Sequence, residues 1–211
     1  MLHEYITVSK EISNEIEERK SKFIANIKPV ASEEEAVNFI DSIKSKYWNA
    51  THNVYAYVIR NGNEIQRFSD DGEPSGTAGI PVLEAIKKMN IINAVVVVTR
   101  YFGGVKLGAA GLVRTYGKCA SQGLVKSGIV KMVLCKQYNI KMNYTLLGKA
   151  QNFIVEKGYK ILDIIYTQEV EIVVLIPMDA TESFEVSIIN LTNAKLALCQ
   201  GNSTYVEHPV D

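Results

Sequence analysis

Three carboxylates fall within four residues, Asp70, Asp71 and Glu73, and a run of cations follows at Arg100, Lys106, Arg114 and Lys118. The carboxylates lie in E-I-Q-R-F-S-D-D-G-E-P-S-G-T-A-G (64–79), with Arg67, Ser75 and Thr77. The cations lie in V-V-V-V-T-R-Y-F-G-G-V-K-L-G-A-A-G-L-V-R-T-Y-G-K (95–118), with Tyr101. Two chemistries suit such residues. Cations beside the start of a helix that opens after glycines hold phosphate, because that start offers unpaired N–H groups and the positive end of the dipole. Carboxylates on a tight turn hold Mg²⁺, usually with substrate phosphates completing its shell. The acidic turn has plainer uses as well: Asp70, Asp71 and Gly72 form turns, Ser75 or Thr77 caps the helix after it, and the acids orient Arg67, Arg100 or Arg114. His52 is a candidate general base beside this turn, yet no serine or cysteine stands next to it in a nucleophile motif, so a structural role is the simpler assignment. Neither a phosphate-loop nor a dinucleotide fingerprint fits the glycines, and no cofactor is expected.

These residues need rigid elements to hold them. Val95–Val98 is a β-branched run suited to a strand buried on both faces, ending in Thr99-Arg100-Tyr101 before Gly103-Gly104 turns the chain. From about Gly108 a helical stripe runs through Leu112, Val113, Tyr116, Cys119, Ala120 and Leu124 until Gly128. Upstream, Tyr5–Val8 reads as an edge strand, the charged stretch Glu11–Lys20 as a solvated ribbon, and Phe23–Ile27 as a strand. Ser32 and Glu35 form a capping box for a helix whose apolar face is Ala36, Val37, Ile40, Ile43 and Tyr47. Val54–Arg60 and Ile65–Phe68 make a hairpin about Asn61-Gly62. After a short strand or connection at Ile129–Cys135, the order from Lys136 is β-α-β-β-α-β, the ferredoxin-like arrangement. The expected fold class is therefore α+β in two domains, 1–135 and 136–211.

Composition narrows the function. The chain has 211 residues and no net charge, but the first 135 carry 17 Lys and Arg against 14 Asp and Glu, the remainder 6 against 9. Every arginine lies in the first part. A local phosphate-binding face fits this balance; a strongly basic nucleic-acid module does not. Three scattered cysteines, Cys119, Cys135 and Cys199, suit small buried side chains in a reducing compartment. With no long apolar run and no signal-peptide pattern at Met1-Leu2-His3-Glu4, a cytoplasmic protein without a membrane partner is expected.

R-F-S-D-D-G-E-P-S-G-T-A-G, T-R-Y-F-G-G-V-K-L-G-A-A-G-L-V-R-T-Y-G, A-T-H-N-V-Y-A-Y and, further on, Y-T-L-L-G-K resemble the YigZ/IMPACT family over nearly the whole chain. The resemblance implies an IMPACT domain, similar to the second domain of a small-subunit ribosomal protein and to domain four of elongation factor G. It also implies a C-terminal domain like that factor's fifth. Eukaryotic IMPACT regulates translation, competing for the activator of a starvation-responsive kinase. The expectation is a translation-related, stress-linked regulator that is not an enzyme, with RNA, the ribosome or a translation-associated protein as partner. Arg67, Arg100, Tyr101, Lys106, Arg114 and Lys118 would form the anion face, supported by His52, Asp70, Asp71, Glu73, Ser75 and Thr77. A metal-dependent hydrolase on Asp70, Asp71 and Glu73, and a protein-interaction module, are the alternatives.

Overall fold

A computed structural model describes residues 2–210 and divides into two compact units, one built on Tyr5–Lys131, the other on Met132–His208 with Leu2–Glu4. In the first unit β2 (Ile12–Glu18), β3 (Ser21–Pro29), β4 (His52–Asn61), β5 (Asn63–Ser69) and β6 (Ala94–Tyr101) form a sheet in the order β2-β3-β6-β4-β5. All four pairings are antiparallel. Helix α1 (Glu33–Lys46) covers one face, while α2 (Gly79–Lys88) and α3 (Ala109–Lys126) cover the other.

The valine run of β6 shows why the layers stack. Val95 and Val97 join Phe39, Ile40 and Ile43 of α1, whereas Val96 and Val98 join Val82 and Ile86 of α2 and Leu112 and Leu124 of α3. Each of the four valines is fully buried, worth roughly 1.5–3 kcal/mol per side chain. The same period of two sends Arg100 toward the helix pair and Tyr101 to the other side.

Several elements depart from the sequence reading. The polar stretch before Arg19 is strand β2, paired along β3 from Ile12↔Ile27 to Glu18↔Ser21. Its charges alternate with Asn14, which is buried and accepts from Lys126 Nζ at 2.6 Å. On α1, Phe39 is a core residue and Val37 is exposed. Ser32 Oγ accepts from Glu35 N, but Glu35 reaches Ala31 N, one residue ahead of the position a capping box would use. Val113 likewise lies outside the buried stripe of α3, where Thr115 and Gly123 are buried instead.

The second unit is ferredoxin-like. Its order is β7 (Ile129–Met142), α4 (Tyr144–Glu156), β8 (Lys160–Tyr166), β9 (Val170–Pro177), α5 (Thr181–Leu191) and β10 (Leu196–Pro209). The strands lie as β10-β7-β9-β8, and β1 (Glu4–Val8) also pairs with β7. One sheet face, with Tyr138, Ile140, Ile172 and Val174, packs on Ala150 and Ile154 of α4 and on Phe184 and Ile188 of α5. Ile129–Cys135 is not a separate strand or connection but the first half of the continuous β7. None of the described helices is long and apolar enough to cross a membrane.

Candidate functional site

The acidic turn and the glycine-rich loop meet around α3, and each of the three carboxylates has a different task there. Asp70 holds the start of α2: its Oδ1 accepts from Ala78 N at 3.0 Å and Gly79 N at 2.8 Å, and its Oδ2 from Gly76 N at 2.8 Å. Ser75 and Thr77 do not cap that helix, since its N-cap residue is Ala78 and Thr77 Oγ1 donates back to Pro74 O. Burial pushes the Asp70 carboxyl upward, but the three N–H groups outweigh it, and its pKa lies below the ordinary value of 3.8. A carboxyl whose pKa falls on folding stabilises fully above that ordinary value, and the contribution is lost as pH drops through the lower, folded one. Asp70→Asn should therefore cost about 1–2 kcal/mol at pH 7 and flatten the acid limb of the stability curve, as read by denaturation from pH 2 to 7.

Asp71 Oδ2 accepts from Asn53 N at 2.6 Å, and Lys44 Nζ lies 3.5 Å from its Oδ1. Glu73 is buried. Its Oε1 accepts from Arg100 Nη1 at 2.6 Å and from the Tyr116 hydroxyl at 2.8 Å. Burial, then the adjacent Glu73 charge, pushes the Tyr116 phenol far above its usual range. Asp70 and Asp71 are engaged through both oxygens and Glu73 through Oε1, and no cluster of three His, Cys, Asp or Glu among the described residues is placed to hold a metal ion.

Arg100 is the largest departure from the expected cation face. It is 5% exposed, its guanidinium sits 5.4 Å from the Phe23 ring and 5.6 Å from the Phe102 ring, and its Nε has no partner. It cannot lie flat against a polymer backbone at the surface. Arg67 leaves β5 toward Glu33 of α1, 3.9 Å away, on the face opposite α3. Tyr101 donates to Asn49 Oδ1 at 2.9 Å and also belongs to the α1 side. Neither residue joins the others, whereas Phe102, half exposed, lines a pocket at the start of α3.

Lys106, Arg114 and Lys118 are exposed and border the N-terminal half of α3. Arg114 and Lys118 line a shallow pocket of about 210 Å³ with Arg19 and Glu18. The sequence pattern places Arg19 only in a solvated ribbon; its position here follows from the β2–β3 turn. Arg19 and Lys20 form that two-residue turn with φ of 47° and 64°, a left-handed conformation that favours Gly or Asn. Gly103 lets the turn approach, since a Cβ there would lie 2.0 Å from the Lys20 carbonyl.

A second pocket, of about 380 Å³, lies between Glu73, Arg100 and the start of α3. Helix α3 opens at Gly108, φ 71°, with no side-chain cap. His52 Nδ1 is 2.8 Å from the Asp71 carbonyl, which can only accept, so Nδ1 carries a proton, and Nε2 lies 3.9 Å from Glu73 Oε2. No thiol joins this site: burial pushes Cys119 up to about 12.

The molecule is thus a two-domain α+β protein whose first unit presents an uncapped helix start beside Lys106 and, along the same helix, a pocket lined by Arg19, Arg114 and Lys118. Its residues 19–124 match the Impact N-terminal domain, and residues 140–195 match a domain of unknown function, DUF1949. The chain belongs to the IMPACT family: it is 44% identical over 211 residues to IMPACT family member YvyE of Bacillus subtilis (strain 168), spanning all of this chain and 97% of that one. A crystal structure described as that of a hypothetical protein is similar at 26% identity and a TM-score of 0.61, over 94% of this chain and 97% of that chain. A structure described as the two-domain translational regulator Yih1 aligns with 58% of this chain and 46% of its own at 30% identity and a TM-score of 0.37, too loose a superposition to bear on function.

Proposed function

We propose that this protein is a cytoplasmic, non-enzymatic regulator linked to translation that binds RNA, free or within the ribosome, through the exposed cations around α3. Lys106, Arg114 and Lys118 supply the phosphate contacts, joined by Arg19 and Lys20 from the β2–β3 turn. The observation that carries the reading is the grouping of Arg19, Arg114 and Lys118 about one pocket along the N-terminal half of α3. Phosphate contacts of this kind position a protein on nucleic acid without reading sequence. Arg100, Glu73 and Tyr116 hold the loop that presents them, and Asp70 holds α2 against α3. The family resemblance of the two glycine-rich motifs adds the link to translation.

Cosedimentation tests the proposal. Wild-type protein should pellet with ribosomes or lysate RNA, lose most of that association after nuclease, and lose most of it in Arg114→Ala/Lys118→Ala. Pelleting that survives both nuclease and the double substitution would point to a protein partner and overturn it.

A further inference from the structure

We propose that the pocket between Glu73, Arg100 and the start of α3 binds a single nucleotide unit, its phosphate at the helix start and its base against Phe102. The inference deepens the RNA reading and rests on it only for the source of the nucleotide, which is either a base splayed out of RNA or a free nucleoside monophosphate.

Four observations converge on this ligand. Arg100 is more than nine-tenths buried, yet its Nε lacks a partner and the residue lines the pocket, so a buried cationic donor is left unpaired. The 18-residue helix α3 begins in the same pocket with no side-chain cap, and its first N–H groups are open to an acceptor, with Lys106 beside them. Phe102, Leu107 and Leu112 supply an apolar wall that a bare phosphate would not use, and a volume of about 380 Å³ lies in the range of small-molecule sites. His52 and Glu73 also line the pocket, where Glu73 Oε2 and, in the neutral ring, His52 Nε2 can accept from ribose hydroxyls. Glu73 and Arg100 offset one another's charge, so the site's attraction for an anion comes from Lys106 and the open helix start.

The test is a titration of ¹⁵N-labelled protein with inorganic phosphate, ribose 5-phosphate, AMP and a short single-stranded RNA, following the backbone amides of residues 108–112. AMP should shift these amides and bind about tenfold more tightly than inorganic phosphate, the margin expected of one stacked base. Phe102→Ala, at a half-exposed position, should remove that margin and leave phosphate binding unchanged, while Lys106→Ala should weaken every ligand. Shifts produced by the RNA at the same amides, lost in Phe102→Ala, also support the site and identify RNA as the source. Absence of shifts at 108–112 with both AMP and RNA, or equal affinities for AMP and phosphate together with RNA shifts that Phe102→Ala leaves intact, would overturn it. The two readings fail separately. AMP binding in a protein that ignores RNA leaves this inference standing and removes the RNA role; RNA binding that is lost in Arg114→Ala/Lys118→Ala but spares residues 108–112 does the reverse.

Discussion

Glu73→Ala is expected to lower the stability of the first unit by about 3–5 kcal/mol, the usual result of removing one partner of a buried ion pair. The substitution strands the Arg100 guanidinium among Phe23, Phe102 and the sheet, and strips the buried Tyr116 hydroxyl of its acceptor. Glu73→Gln keeps an acceptor for both donors and should cost about half as much. Replacing the pair together, Glu73→Leu with Arg100→Met, should recover most of the loss, because no charge is then left buried alone, and leave about 1–3 kcal/mol for the Tyr116 hydroxyl that has lost its acceptor. Since the chain has two compact units, the loss is best read by hydrogen exchange of β6 and α3 amides, with β9 as an internal reference. A change under about 1 kcal/mol for Glu73→Ala would mean that Arg100 finds another partner, and the rigid-support role assigned to this pair would be wrong.

Gly103→Ala should have the next largest effect, about 3 kcal/mol, because the added carbon would lie 2.0 Å from the Lys20 backbone, where no flexible side chain can give way. The chain can relieve the clash only by parting the β2–β3 turn from the 102–108 loop, which carries Arg19 away from Arg114. A loss of RNA affinity should therefore accompany the loss of stability. Gly104→Ala makes the control: nothing lies within 4 Å of its Cβ, but its φ of 83° is unfavourable for alanine, so a cost of about 1 kcal/mol and little change in binding are expected. Thermal melts and filter binding on the two variants separate close approach from backbone conformation.

Much of this architecture could be read from residue pattern. The aliphatic run 95–98, the acid-rich start of α1, the Asn61-Gly62 hairpin and the β-α-β-β-α-β order each state a local preference that the packing agrees with. The site was less legible, for identifiable reasons. Arg100 looks like a free cation in a glycine-rich segment, and only the alternation of β6 together with the depth of Glu73 turns it into a buried partner. Tyr101 and Phe102 are neighbours in sequence but face different layers, which only the alternation of the strand before them separates. Asp70 caps a helix nine residues away, which no capping box in the sequence announces, and it displaces Ser75 and Thr77 from that task. Arg19 was hidden in a charged stretch whose alternation is that of an edge strand, and its two-residue turn contains no glycine to mark it.

On the proposed reading Lys106, Arg114, Lys118 and Arg19 touch nucleic-acid phosphates. The salt dependence of single-stranded RNA binding reports on these contacts, comparing wild type with Arg114→Ala/Lys118→Ala from about 50 to about 300 mM KCl. Each phosphate contact removed should reduce the magnitude of the slope of log K against log salt by about 0.7, so the double variant should lose about 1.4 and bind at least about tenfold more weakly at low salt. A slope and affinity equal to those of wild type, in a variant that folds normally, would contradict the account.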